Sequence, residues 1–138
     1  MTQEEKIFEK IRKVLIVDNI LKEYVGTRVY SSHISSIVQP KYPAISLFLV
    51  NSKADFAMPD VVSMSIQVDI WMQATDYNIE DVLTCMGRVR ALLHRANLTD
   101  KDIGLTVGQI FESSAGGMMY EADTGLRHLP LRYEATTL

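Results

Sequence analysis

Cysteine, histidine and proline are scarce in this chain: one, three and four of them in 138 residues. Each scarcity removes a class of protein. The lone Cys85 excludes an internal disulfide and any multi-cysteine metal site, and its place in the middle of a helical pattern, with no basic neighbour on its turn, marks a buried, inert thiol. His33, His94 and His128 lie far apart and none has a second ligand at metal spacing, so they are expected to be ordinary surface or loop histidines, with no metal bound. No Walker or dinucleotide fingerprint is present; Gly116 and Gly117 form an isolated pair in a turn. The serines at 31–36 and 113–114 lack a nucleophile-elbow pattern. With no catalytic constellation to assemble, the expectation is a protein that is not an enzyme and needs no cofactor. No apolar run approaches the roughly 20 residues of a spanning helix, and the chain opens on mixed charges, so a cytosolic protein without a membrane role is expected. A net charge of −3 gives no general attraction to nucleic acid or anionic lipid.

What the chain does have is hydrophobic residues, 47% of it, enough for one domain over residues 1–138 with its own core. They are most ordered between 61 and 73, where Val62, Met64, Ile66, Val68, Ile70 and Met72 alternate with Ser63, Ser65, Gln67, Asp69, Trp71 and Gln73. Successive strand side chains point to opposite faces, so this is a long strand with one buried face and one mostly polar face. A one-residue slip would expose every large apolar group on it.

The remaining elements fall around that strand. Thr2 and Glu5 make a capping box before Ile7, Phe8, Ile11, Val14 and Leu15 at helical spacing; Asp18 breaks the stripe and caps a second short helix, 19–24, which Gly26 ends. Arg28–Tyr30 read as a short strand, Ser31–Ser36 as loop, and Ala44–Val50, apolar on both faces, as a central strand after Pro40 and Pro43. Tyr77, Asn78 and Val82 form a staple and N-cap for a helix from Ile79 to about Ala96. On that helix Gly87 and Ala91 offer a close approach to another backbone, for which the N-terminal helix is the candidate. Ile103–Glu112 is expected to be a strand. A last strand carries Leu129, Leu131 and Tyr133 on one face, with Pro130 requiring an edge or a bulge. The sum is an α+β fold: a mainly antiparallel sheet of four or five strands with two long helices on one face.

Four residues fit this scheme poorly and become interface candidates. Arg90 falls inside the apolar stripe of its helix, so its stem snorkels past Met86 and Leu93 or it meets a carboxylate across a subunit boundary. Trp71 stands on the polar face of the long strand; it either covers a neighbouring strand or anchors another chain, and with no third helix to cover that face an exposed anchor is expected. Phe56 and Met58 sit in a connection, 51–60, with few intramolecular partners.

Several short segments, taken in order, resemble the tail-completion or tail-terminator family of long-tailed phages and prophages. They are Val25, Gly26, Thr27, Arg28, Val29 and Tyr30; Tyr42, Pro43 and Ile45; Gln67, Val68, Asp69, Ile70 and Trp71; then Asp123, Thr124, Gly125, Leu126 and His128, leading to Leu131, Arg132 and Tyr133. The likeness spans nearly the whole chain, which departs from commoner members in its long connection from Ser113 to Gly125. The resemblance implies an α+β subunit in a homo-oligomeric ring of six that caps the head-proximal end of the tail tube. Its partners would be the tail tube protein and the head-tail connector protein, with DNA passing through the lumen unread. It implies a place in the virion tail, and in the host cytoplasm during assembly. A neck or head-completion protein is the alternative within the same machinery. A small-molecule enzyme or binding domain, and a regulatory partner protein, are the alternatives outside it.

Overall fold

The structure is a computed structural model that describes residues 1–31, 37, 41–73 and 78–138. Helix α1, Gln3–Val17, starts where Thr2 Oγ1 accepts the Glu5 amide and Glu5 returns a carboxylate oxygen to the Thr2 amide, the reciprocal box expected from its sequence. It stops at Asp18, which caps α2, Asn19–Val25, by accepting the Leu21 amide. Strand β1, Val29–Tyr30, is followed by β2, Ala44–Ala54, β3, Val62–Gln73, and helix α3, Ile79–Leu93. After a 3₁₀ turn at Lys101–Ile103 come β4, Val107–Ala115, β5, Met119–Glu121, and β6, Leu126–Thr137.

The strands form one sheet in the order β1-β2-β3-β6-β4, with β5 beside β6. The class is the expected α+β, but the sheet has six strands and is mixed, because β1 runs parallel to β2 through Val29↔Ile45 and Tyr30↔Ser46. A parallel neighbour requires a crossover, and residues 31–43 between β1 and β2 provide the dozen or so it takes. Within that crossover the serine-rich loop expectation at 32–36, and Pro40, lie outside the described residues, as does Tyr77 of the expected staple.

The central ladder pairs β3 with β6 from Val62↔Thr137 to Gln73↔Leu126 without a register shift. On one face it sets Met64 by Ala135, Ile66 by Tyr133, Val68 by Leu131 and Ile70 by Leu129, and β2 adds Ile45, Leu47 and Leu49. Ile7, Ile11 and Leu15 of α1, Leu21 and Val25 of α2, and Val82, Cys85, Val89 and Leu93 of α3 close over this surface as one core. The face chosen from the alternation is therefore the one inside.

Other expectations are corrected. Strand β2 runs on to Ala54 past a bulge between Leu49 and Asn51, because Asn51–Ala54 pair with Val62–Ser65 in a hairpin extension where the β2 side chains are exposed. Strand β4 begins at Val107 rather than Ile103: the Asp100 carboxylate accepts the Asp102 amide and Gly104 takes φ +66, which winds 101–103 into a turn. Helix α3 ends at Leu93, where Arg95 swings to φ +56 and donates its amide to Ile110. Gly87 and Ala91 do not face α1; both are exposed, and a Cβ on Gly87 would meet nothing. Pro130 is neither at an edge nor bulged. Its carbonyl accepts the Gly116 amide where the chain leaves the sheet between β4 and β5, so its missing N–H points into that gap. Gly116 is more than a turn residue, since a Cβ there would lie 2.6 Å from Pro130 Cγ.

Ile66 has no exposure and lies between Leu49 and Tyr133 in the ladder, so Ile66→Asp should lose about 4 kcal/mol or more and unfold the chain, whereas exposed Ser63→Asp should change stability by less than about 0.5 kcal/mol. Denaturant melts of the two variants check this; a cooperative Ile66→Asp transition near the parent's would refute the face assignment.

Candidate functional site

The second face of the sheet corrects the sequence reading most. Trp71 is 1% exposed. It lies opposite His128 in the ladder and stacks on it, with ring centroids 4.4 Å apart and planes 14° from parallel. Its Nε1 donates to Ser46 Oγ at 2.8 Å, and Ala44, Leu126, Tyr30, Ile37 and Tyr42 pack around it as a second, smaller core. A flat ring can be buried on a strand's polar face when the neighbouring strands carry small or flat partners, and Ala44, Ser46 and His128 are those partners. Trp71 is therefore core, and the expectation of an exposed anchor fails. His128 is likewise buried rather than a surface histidine: its Nδ1 is 3.0 Å from Asp69 Oδ1 and its Nε2 is 3.9 Å from Glu121 Oε1. Gln67 donates to both Asp69 oxygens at 3.1 Å, and Ser65 and Ser113 both donate to Glu134. A cleft of about 190 Å³ lies over Gln67, Asp69, Trp71 and His128, between Phe48 and Glu121.

Arg90 meets its carboxylate inside the subunit. Its Nε donates to Glu112 Oε1 at 2.8 Å while its stem leaves the core, so the boundary-crossing pair is replaced by an α3–β4 contact. The Glu112 hydrogen bond, ahead of an opposing burial effect, raises the Arg90 pKa. The Tyr133 hydroxyl, 3.4 Å from the same oxygen, is pushed above its usual range first by burial and then by that carboxylate. His94 Nδ1 accepts the Glu112 amide at 2.9 Å, which leaves its proton on Nε2. Arg88 forks onto Asp18 at 2.6 and 3.2 Å, tying α3 to the junction of α1 and α2. That hydrogen bond holds the Asp18 carboxyl below its ordinary pKa despite the opposing effect of burial, with the Leu21 amide assisting. Burial, and secondarily Asp81, pushes the Cys85 thiol up to about 12, so it stays protonated at neutral pH.

Phe56 and Met58 are at the surface. Every residue from 51 to 60 is exposed, Phe56 completely, and Met58 by 59%. The loop is nonetheless built: Asp55 Oδ1 accepts the Ala57 and Met58 amides at 2.8 and 2.9 Å, the Asp55 amide donates to Val61 O and the Val61 amide to Met58 O. Beside the middle of β2 lies a groove of about 410 Å³ that the sequence did not suggest, between the first turns of α1 and Leu49. The four candidates thus separate into an exposed tip, a buried tryptophan and an intramolecular ion pair. Among the described residues no three His, Cys, Asp or Glu side chains cluster as metal ligands, and no helix is long and apolar enough to cross a membrane.

No protein-family model matches the chain, and no curated protein matches it in sequence. Solved structures do match: a chain in the virion of a native gene transfer agent particle superposes with a TM-score of 0.70 at 14% identity, over 95% of this chain and 93% of that one. At that identity the likeness is one of fold.

Trp71→Ala should cost about 3–5 kcal/mol, and Trp71→Phe less, the indole hydrogen bond to Ser46 being worth about 1 kcal/mol. Thermal melts of both variants test this, and a Trp71→Ala protein melting within a few degrees of the parent would contradict the burial. Asp18 makes a second prediction, about pH. Its folded pKa is depressed, so the pair with Arg88 adds stability above the unfolded carboxyl value of about 3.9 that is lost as pH falls through the lower folded value. Asp18→Asn keeps a capping oxygen but should flatten that acid limb, and Asp18→Ala should lose about a further 1 kcal/mol with the cap. Melting curves between pH 2 and 6 separate the two.

Proposed function

We propose that this protein is a structural subunit of a phage-type virion, of the tail-terminator kind. Its copies close into a ring, six by resemblance, on the head-proximal end of the tail tube, where they stop polymerisation and present a surface to the head connector. The observation that carries the reading is the co-extensive likeness to a virion chain, 95% of one on 93% of the other, which leaves neither with a separate domain to account for. The ordered segment resemblance from Val25–Tyr30 to Leu131–Tyr133 independently favours the terminator within that setting. In this reading the subunit performs no catalytic step and binds no cofactor. The His128–Asp69 pair, stacked and hydrogen-bonded into the sheet, serves the fold. DNA passes the ring without being read, which suits a net charge of −3 and backbone-independent passage. The subunit works in the virion tail and assembles in the host cytoplasm.

A cap has a signature that other virion proteins lack. Purified protein added to tail tubes polymerising in vitro should bind one end only and bring elongation at that end to a halt, as micrographs and tube-length distributions would record. Binding along the tube wall, at both ends, or only to the connector would refute the terminator role, the last in favour of a neck protein.

A further inference from the structure

We infer that the cleft over Asp69 and His128, on the sheet face away from the main core, is a binding site for a lysine or arginine side chain of a partner protein. The Nδ1 side of His128 serves the fold, and its Nε2 side faces the cleft. A carboxylate oxygen can only accept, so the ring donates from Nδ1 to Asp69 Oδ1 at 3.0 Å, and the neutral imidazole presents a bare lone pair at Nε2. That atom belongs to a residue only 8% exposed and has no hydrogen-bond partner among the described residues. What it meets is Glu121 Oε1 at 3.9 Å, a second acceptor beyond bonding distance. Two acceptors so spaced can share one nitrogen that carries N–H groups and lies within about 3 Å of each. Glu121 is set in place, its Oε2 accepting the Thr124 hydroxyl and its carbonyl the Gly125 amide.

Charge points to the same ligand. Asp69, 5% exposed, is bonded by the Gln67 amide and the His128 ring, so the cleft holds two carboxylates, and no lysine or arginine is among its described lining residues. Arg132 lies opposite Gln67 in the ladder but does not line the cleft, and Arg127 lies over the Tyr120 ring. A buried carboxylate without a positive partner is costly, and a cation between His128 and Glu121 supplies that partner. Phe48, 56% exposed, joins Trp71 in the lining, and the two rings offer aromatic surface to a methylene stem or a guanidinium plane.

Size identifies the source. A volume of about 190 Å³ holds one long side chain but falls below the roughly 300–1,000 Å³ of small-molecule pockets, so the cation arrives attached to a protein. This chain is a poor donor of it. Its net charge is −3, Lys10, Arg88 and Arg90 are paired with its own carboxylates, and Lys6, Arg12 and Arg28 are held by its own carbonyls. The partner is therefore a different protein that presents a cation. Only the partner's place, among the tail and connector proteins, rests on the proposed terminator role.

The test has two arms, both on the full chain. n-Butylammonium and n-propylguanidinium, titrated at neutral pH into protein with isotope-labelled histidine, should shift the His128 Nε2 resonance saturably with a millimolar Kd, and n-butanol should not. Glu121→Gln should weaken the better probe about tenfold and Phe48→Ala several-fold, both variants melting close to the parent. An Nε2 that already carries a proton in the free protein, or a response that butanol matches or Glu121→Gln leaves unchanged, would overturn the site. In the second arm, Glu121→Lys puts a cation of the chain's own at the cleft. It should fold, refuse the probes and lose about thirtyfold in affinity for isolated tail tubes or head connectors. If it binds them as the parent does, the cleft takes free amines and the docking is overturned. If it loses self-association alone, the cation belongs to a second copy and the partner named here is wrong. A parent that binds neither tubes nor connectors would overturn the terminator reading and the partner's place with it, while the probe titration still decides the site.

Discussion

The unbroken antiparallel pairing of β3 with β6 is the constraint on which the rest of the molecule depends. Its register sets Ile66 beside Tyr133 and Val68 beside Leu131 on the face that the helices cover, and on the other face sets Trp71 beside His128 and Gln67 beside Arg132. Side-chain period is two, so a shift by one residue would exchange the two faces together and bring Asp69 under α1 and α3. Both cores therefore enforce the same register. The larger does so by apolar area, and the smaller by a stacked pair and hydrogen bonds that tolerate little displacement.

The two borders of the sheet are treated differently. Along β4, α3 closes the border from its own C-terminus: the Arg95 amide, held at a positive φ, reaches Ile110, and His94 accepts from Glu112. Bulges near Val107 and Glu112 twist the same strand. These are the devices by which a sheet avoids adding a neighbour. Strand β2 pairs with β1 only at Ile45 and Ser46, and from Asn51 its own side chains are exposed while its backbone stays paired with β3. A positive-φ arginine costs roughly 1 kcal/mol, which the chain accepts at β4 and nowhere else among its described non-glycine residues.

Legibility in the sequence followed the strength of local signals. The capping box at Thr2, the break at Asp18, the Asn78 cap and the buried face of β3 were readable because each is decided within a few residues or by one clean period. The parallel β1–β2 pair, the start of β4 and the existence of β5 were not, since pairing partners distant in sequence leave no local mark. The outer part of β2 was missed for a different reason: beyond Val50 it has no core to face, so Asn51, Ser52 and Lys53 show no alternation. Of the site candidates, the exposure of Phe56 and Met58 was legible from polar neighbours and missing partners. Arg90 was legible as an anomaly but not in its solution, because Glu112 lies on another strand.

Trp71 shows why a polar strand face is a poor guide to exposure. Ser, Asp and Gln alternate around it, and that pattern is shared by a wetted face and by a face whose polar groups bond to one another. Here Gln67 and His128 bond to Asp69 and Ser46 accepts the Trp71 indole, so burying them carries little of the penalty that isolated polar groups would meet, and the tryptophan supplies the apolar area that makes the burial worthwhile. Trp71 is thereby committed to holding β2, β3 and β6 in register, through its stack on His128 and its hydrogen bond to Ser46.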